Sequence, residues 1–510
     1  MKRTILLMLG LFLAFNLSAQ NGESPISYKS LGLQFSSNSS NGDAASMVVP
    51  SVSSYNGFGS LIDNPAVMAL AKENSVSIAW FYSNQNQTSS YLNSSASSSF
   101  GNTDFGNIGM LYKIPTSQGS LVIGAGYDLK EVYDNKAFIN GRNSSSTVTD
   151  MFVDPSSSYN GIAYDAYAIE FGDVEETYYE SIFRLGFTPS QYPGITQFVD
   201  VNNKRRMGEF SFFTATEFKK NLYAGISIGL TSGSSSYSRN FQEFDEFNDY
   251  DGDFIGADGN GNGGTDIERI TLADDIDSDI VGVTIRTGLA YTLGEKARVG
   301  ASLTLPSKLV IIESYSSGIK SDFDDGTATD TYDFFGEFEY AITRPAQFNI
   351  GGSILDIAGF SISGSAELID YRNIKLSLLE TEISDPSEKA SLLQNEQEIN
   401  AEIKQDYNSV ANLKIGAAYK LNNRTEIKGG YALYPAKSKT YKVEQNVFSV
   451  GLSLPLTNSI NFDISGQYST WTDRSVLYSY SDVTSGNLVN SYVNQDFESL
   501  NIVAGIRFLF

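Results

Sequence analysis

The chain ends in ESLNIVAGIRFLF, and every second residue of its last stretch is apolar. Leu500, Ile502, Ala504, Ile506, Phe508 and Phe510 share one face, while Asn501, Val503, Gly505, Arg507 and Leu509 share the other. A period of two is a strand with one oily face. The pattern returns in NLYAGISIGL (Leu222 to Leu230), VGVTIRTGLAY (Val281 to Tyr291), NLKIGAAYKL (Leu413 to Leu421) and SINFDISGQYS (Ile460 to Tyr468). A soluble sandwich alternates too, so alternation alone does not separate the two.

The connections do. Alternation places strands at 74–83, 105–114, 119–129, 205–218, 221–235, 280–292, 297–314, 331–354, 360–372, 408–420, 424–433, 445–454, 459–470 and 500–510. Tight turns (PTSQ, KKN, LGEKA, LDIAG, LNNR, PLTNS) then alternate strictly with long connections: 84–104, 130–204, 236–279, 315–330, 373–407, 434–444 and 471–499. Short turns at one end and long loops at the other are the layout of a transmembrane barrel. The stretch EFEYAITRPAQFNIGGSI is one strand kinked at Pro345, because two strands would make the count odd and break the alternation. Proline removes a ladder donor, and Pro306 marks a similar bend. The expected fold is therefore all-β: an antiparallel barrel of fourteen strands over 74–510, with long extracellular loops 130–204 and 236–279.

Lipid explains the terminal aromatic. Every backbone group inside a bilayer must pair within the protein, and a closed sheet has no edge. Phe510 then lies in the periplasmic aromatic girdle, on the strand that closes the barrel. MKRTILLMLGLFLAFNLSAQ reads as a signal peptide, residues 1–19, with cleavage after Ala19. Beyond it no apolar run approaches the ~20 residues of a spanning helix. Residues 20–73 are rich in Ser, Asn and Gly and precede the first strand. Fourteen strands enclose more space than wall side chains fill, so this segment is either a plug inside the lumen or a periplasmic tail.

Inventory removes whole classes of chemistry. There are no cysteines and no histidines. Disulfides, Cys/His zinc sites, thiol nucleophiles and Ser-His-Asp arrangements are excluded. No cofactor is expected, and no catalytic constellation stands out. A net charge of −24 opposes nucleic-acid binding, which needs Lys and Arg against phosphate.

A few residues stand out as candidate sites. Arg286 sits on the polar face of its strand and would suit a ligand carboxylate. The commoner role for such a residue is a structural pair with Asp or Glu. Lys414 and Lys420 read the same way. ADGNGNGGTDIERI sets Asp258, Asn260, Asn262 and Asp266 at calcium-loop spacing, but Arg269 stands where the closing glutamate belongs. A solvated loop is the commoner reading. ETEISDPSEKASLLQNEQEINAEIKQDY reads as a loop helix with Leu392, Leu393, Ile399 and Ile403 available for packing.

GSLIDNPAVMAL, with Asn64, Pro65 and Ala66, resembles the NPA element near the N-terminus of the FadL/TodX outer-membrane transporters of long-chain fatty acids and aromatic hydrocarbons. RRMGEFSFFTATEFKKNLYAGISIGL, YAITRPAQFNIGGSI with ISGSAELIDYRNIKLS, and VANLKIGAAYKLNNRTEIKGGYALYP resemble successive hairpins of that family. The family's Gly-rich run before NPA is absent, and NGFGS stands nearby. The resemblance implies a lumenal plug over 20–73, with Asn64 and Pro65 as hinge or latch. It also implies passive uptake of a hydrophobic small molecule, leaving sideways through the wall in the outer membrane of a Gram-negative bacterium. The implied partners are that ligand, membrane lipid with lipopolysaccharide, and the barrel insertion machinery. A second reading is a structural or adhesive barrel without transport.

Overall fold

The computed structural model describes residues 28–36, 42–155, 157–185, 187–188, 190–250, 265–378, 386–422, 425–482 and 486–510. The expected signal peptide lies outside them, as do Asp258, Asn260 and Asn262.

Fourteen antiparallel strands form one closed sheet. They are β1 (Ser75–Tyr91), β2 (Ser94–Ile114), β3 (Leu121–Asn143), β4 (Ile195–Lys219), β5 (Leu222–Phe244) and β6 (Ile267–Leu293). Next come β7 (Ala297–Thr304 and Ser307–Phe323), β8 (Tyr332–Arg344 and Gln347–Ile357) and β9 (Phe360–Asp370 and Lys375–Ser377). Then follow β10 (Ser409–Lys420), β11 (Glu426–Tyr434), β12 (Gln445–Pro455), β13 (Ile460–Ser481) and β14 (Leu488–Leu509), and the α-helices are α1 (Tyr28–Phe35), α2 (Ser60–Asp63), α3 (Asn160–Asp165) and α4 (Pro386–Asp406). Each strand pairs with its sequence neighbours. β14 closes on β1, from Ser75 opposite Leu509 to Ser90 opposite Asn494. The Phe510 amide donates to the Asn74 carbonyl at 3.1 Å, tying the last residue to the start of the first strand.

Outward faces carry the oily set. Ile226, Ile228 and Leu230 on β5 and Val281, Val283, Ile285 and Leu289 on β6 are all exposed, although apolar. Between them Ser227, Thr231, Thr284 and Arg286 turn inward and are buried. Apolar side chains facing out and polar ones facing in is inverted for water and right for lipid. No described helix is long and apolar enough to cross a membrane. The chain is an outer-membrane β-barrel.

The strands run further than alternation indicated. β4 has 25 residues, against the ~10 that cross a bilayer. The expected loop 84–104 is instead a hairpin: β1 and β2 stay paired to Tyr91 opposite Ser94, across a two-residue turn. Leu92 and Asn93 take φ of 44° and 68° there, the geometry of the turn that matches strand twist. The expected loops 130–204 and 236–279 likewise shrink to 144–194 and 245–266. Beyond the bilayer the outer face is wet and the Ser, Asn and Thr there carry no hydrophobic period, but the ladder of backbone hydrogen bonds needs none.

Three neighbouring strands break at one level. β7 breaks at Leu305 and Pro306, β8 at Pro345 and Ala346, and β9 at 371–374. Ser307 pairs with Arg344 and Thr304 with Gln347, so the first two breaks are adjacent. Thr343 pairs with Lys375 and Gln347 with Ile369, which sets the third beside them. Arg344 bridges the gap, donating to Ser307 Oγ at 2.8 Å and Thr284 Oγ1 at 2.7 Å.

Candidate functional site

The lumen is filled from both ends. At the end that carries the chain termini of the barrel, residues 42–71 fold inside the wall and hydrogen-bond to it from several directions. Lys428 Nζ donates to the Ala45 carbonyl at 2.8 Å, Ser465 Oγ to Ala44 at 2.7 Å and Gln467 Nε2 to Met47 at 3.0 Å.

The Asn-Pro-Ala element is the best-anchored part of this plug. Asn64 is fully buried. Its amide nitrogen donates to the carbonyls of Val52 (2.6 Å) and of Leu289 on β6 (3.0 Å). Its side-chain oxygen accepts from the Ala66 amide at 2.9 Å, capping the 3₁₀ turn Pro65–Leu70. Proline fits the first turn because that position needs no donor. The wall makes room with glycine: a Cβ on Gly288 would lie 1.9 Å from Asn64 Oδ1, and one on Gly225 would lie 2.5 Å from the Pro65 carbonyl carbon. Gly225 and Gly288 are paired across β5 and β6, so the notch is one dent in the sheet. Nothing in the sequence pattern marked these two glycines as partners of Asn64.

At the opposite end, the described residues of 144–194 fold into the mouth. Val148, Met151, Phe152, Tyr159 and Phe183 pack on inward residues of the strand tops, among them Ile139, Val199, Phe241, Ile270 and Tyr478. Glu243 accepts from the Val148 amide at 2.7 Å and from Gln197 at 2.6 Å, and Arg184 pairs with Asp150 at 2.5 Å. The mouth is therefore stoppered by a small core of its own.

Between the two stoppers lies an apolar chamber. Its wall is Met207, Ile280, Leu309, Ile311, Tyr340 and Ile342, with Leu376 and Leu378. Its second wall is the loop helix α4 (Pro386–Asp406), through Leu392, Ile399 and Ile403. Leu393, expected to pack with these, is 37% exposed instead, because it follows Leu392 round to the outer side of the helix. The occupant is the chain's own N-terminal helix α1 (Tyr28–Phe35), which buries Tyr28, Leu31 and Phe35 there. The Tyr28 ring stands edge-on to Tyr340 at 4.8 Å, and Arg205 lies over the Phe35 ring at 5.0 Å. Lys29 pairs with Glu402 and Asp406 at 3.5 Å each, and Tyr407 donates to its carbonyl.

α4 also completes the wall. Beyond Asp370, which pairs with Ser409, β9 has no strand on its β10 side. Asn400 stands in for one. Its oxygen accepts from the Leu376 amide at 2.8 Å and its nitrogen donates to the Leu376 carbonyl at 2.9 Å. Glu396 accepts from Leu378 at 3.1 Å. One asparagine thus makes both bonds of a missing strand residue.

The other residues read from sequence find these places. Arg286 points inward and grips Glu209 with two bonds, 2.5 and 2.8 Å, so its charge is spent within the wall. Lys414 reaches Asp63 of the plug at 3.8 Å, and Lys420 stands by Asp356 at 3.9 Å. Asp266 is buried at the edge of β6. No cluster of three metal-ligating side chains occurs among the described residues.

No protein-family model matches the chain, and no curated protein matches it. Solved structures do. A FadL homologue from Pseudomonas aeruginosa aligns over 92% of this chain and 98% of its own, at 11% identity and TM-score 0.52. The P. putida toluene transporter TodX aligns over 92% and 98%, at 13% identity and TM-score 0.49. The Ralstonia pickettii toluene transporter TbuX aligns over 92% and 98%, at 12% and 0.46.

Proposed function

We propose that this chain, which has a FadL-type fold, is a passive outer-membrane channel for hydrophobic small molecules of the fatty-acid or hydrocarbon class. The observation that carries the reading is the apolar lumenal chamber between plug and mouth. A wall built only for strength would face its interior with paired polar groups, as Arg286 and Glu209 do. Here Ile280, Leu309, Ile311 and Ile342 face inward instead. A chamber of this kind suits an apolar guest and offers a polar solute little. Segment 20–73 acts as the plug, Asn64 and Pro65 latch it, and the guest leaves where α4 replaces a strand beside β9. A structural or adhesive barrel is the competing reading, and the stoppered mouth favours it.

The test is uptake of radiolabelled hydrocarbon and long-chain fatty acid by bacteria carrying the chain. Uptake faster than in cells with an unrelated barrel supports the channel. Equal uptake for every compound, with the barrel folded in the membrane, leaves the structural reading.

A further inference from the structure

We infer that the chamber now filled by α1 is the ligand site. In it Glu313 selects molecules whose polar head donates a hydrogen bond, a hydrophobic alcohol or amine rather than a hydrophobic carboxylate. The inference rests on the uptake reading and narrows it: among the hydrophobic molecules that pass, alcohols and amines bind this site best, and hydrocarbons and fatty acids bind it more weakly.

Glu313 lies on β7 between two outward residues, Ile312 and Ser314, and is only 2% exposed. It faces the lumen in the row Arg205, Ser235, Ser278, Glu313, which crosses β4 to β7 in register. Tyr340 Oη donates to its Oε2 at 3.1 Å. Glu131, Glu209 and Asp274 each face an arginine. Among the described residues no Lys or Arg forms an ion pair with Glu313. A cavity of about 10 Å³, room for about one water, lies between Glu313, Ser235, Ser278 and the side chains of Tyr28 and Leu31.

The row is shaped for an occupant. Ser235 and Ser278 are small, and the space over them holds Tyr28 and Leu31. When α1 withdraws, that space joins the apolar wall of Ile280, Leu309 and Ile311. An alkyl chain fills the wall side. The head then meets a carboxyl that has one hydroxyl for company. A hydroxyl or ammonium supplies the missing donor. A carboxylate head would set two acids together away from water, which is unfavourable. A bare hydrocarbon would leave the carboxyl uncompensated. Arg205 does not relieve this: it is three strands away, ~14 Å at ordinary strand spacing, and already pairs with Glu131 at 3.2 Å.

The experiment measures binding of dodecane, dodecanol, dodecylamine and dodecanoate to the full-length detergent-extracted barrel, with folding checked by heat-shifted gel mobility. Dodecanol and dodecylamine should bind at least about tenfold tighter than dodecanoate. Glu313→Leu should weaken both by a similar factor and leave dodecane as tight or tighter. Glu313→Gln should keep dodecanol and lose dodecylamine. Tyr28→Ala with Leu31→Ala should tighten all binding by emptying the chamber. Dodecanoate binding as well as dodecanol, or an unchanged ranking in folded Glu313→Leu, overturns the inference and leaves uptake standing. No binding by any of the four overturns the uptake reading as well.

Discussion

Arg286 and Asn64 are both buried polar residues of the lumen, but they hold different things together. The two bonds from Arg286 to Glu209 join strands of the wall. Removing either partner leaves a buried charge alone, at a cost of about 3–5 kcal/mol. Arg286→Gln should therefore lower the denaturant midpoint of the purified barrel, while ligand uptake by the barrels that fold stays as it was. A selective loss of fatty-acid uptake would instead make Arg286 a ligand residue. Asn64 joins plug to wall and caps a turn. Asn64→Ala with Pro65→Ala should loosen the plug, seen as faster proteolysis near residue 60 and altered uptake. Unchanged uptake in a folded barrel removes both from gating. The sequence marked Asn64 through a motif and Arg286 through its place on a polar face. It could not say which acid meets Arg286, because Glu209 stands 77 residues away. Glu313 escaped notice for the same reason: that no Lys or Arg among the described residues pairs with it is a fact of three dimensions.

Helix α4 is the element on which wall and chamber both depend. It supplies Asn400 to the open edge of β9 and holds α1 through Lys29. Asn400→Leu should strip two hydrogen bonds from Leu376 and expose the segment 378–409 to protease, with strands elsewhere unaffected. Its last residue adds a pH dependence. Burial pushes the Asp406 carboxyl up, but hydrogen bonds from Thr440 and Ser438 and the charge of Lys29 outweigh it. The group sits below the usual aspartate range. A lowered pKa means the docking energy is present above about pH 4, the unfolded value, and is lost as pH falls through the folded one. Protease accessibility of α4 should stay flat from neutral pH down to that range and rise below it, and Asp406→Asn should show the raised accessibility at neutral pH. The loop helix was legible as a Glu- and Gln-rich stretch with a few apolar residues available for packing. Its role as a strand substitute was not, since an asparagine on a helix carries no mark of the edge it will cover.

At the scale of the molecule, the barrel was legible because lipid imposes a period on every strand that crosses it. Fourteen strands and the closing role of the last strand follow from that constraint, while the order of short and long connections breaks at the first, a two-residue turn. Where the constraint ends, so did the reading: the strands continue beyond the bilayer without a period, and the loops came out shorter than expected. The interior was less legible still. Plug, mouth stopper and α1 meet the wall through contacts spanning hundreds of residues, such as Ala44 with Ser465 and Asn64 with Leu289 on β6. Under the proposed function these fillings move and hydrophobic molecules pass through the space they leave. The chain has no cysteine, so a lock can be added cleanly. A Cβ on Gly451 would lie 3.0 Å from Val48 Cγ2, within disulfide reach. The measurement is hydrocarbon uptake by cells carrying Val48→Cys with Gly451→Cys, oxidised and then reduced. Uptake should fall to the level of cells without the channel while the disulfide holds, and recover on reduction. Equal uptake in both states, with the disulfide verified in the folded barrel, would contradict the proposed function.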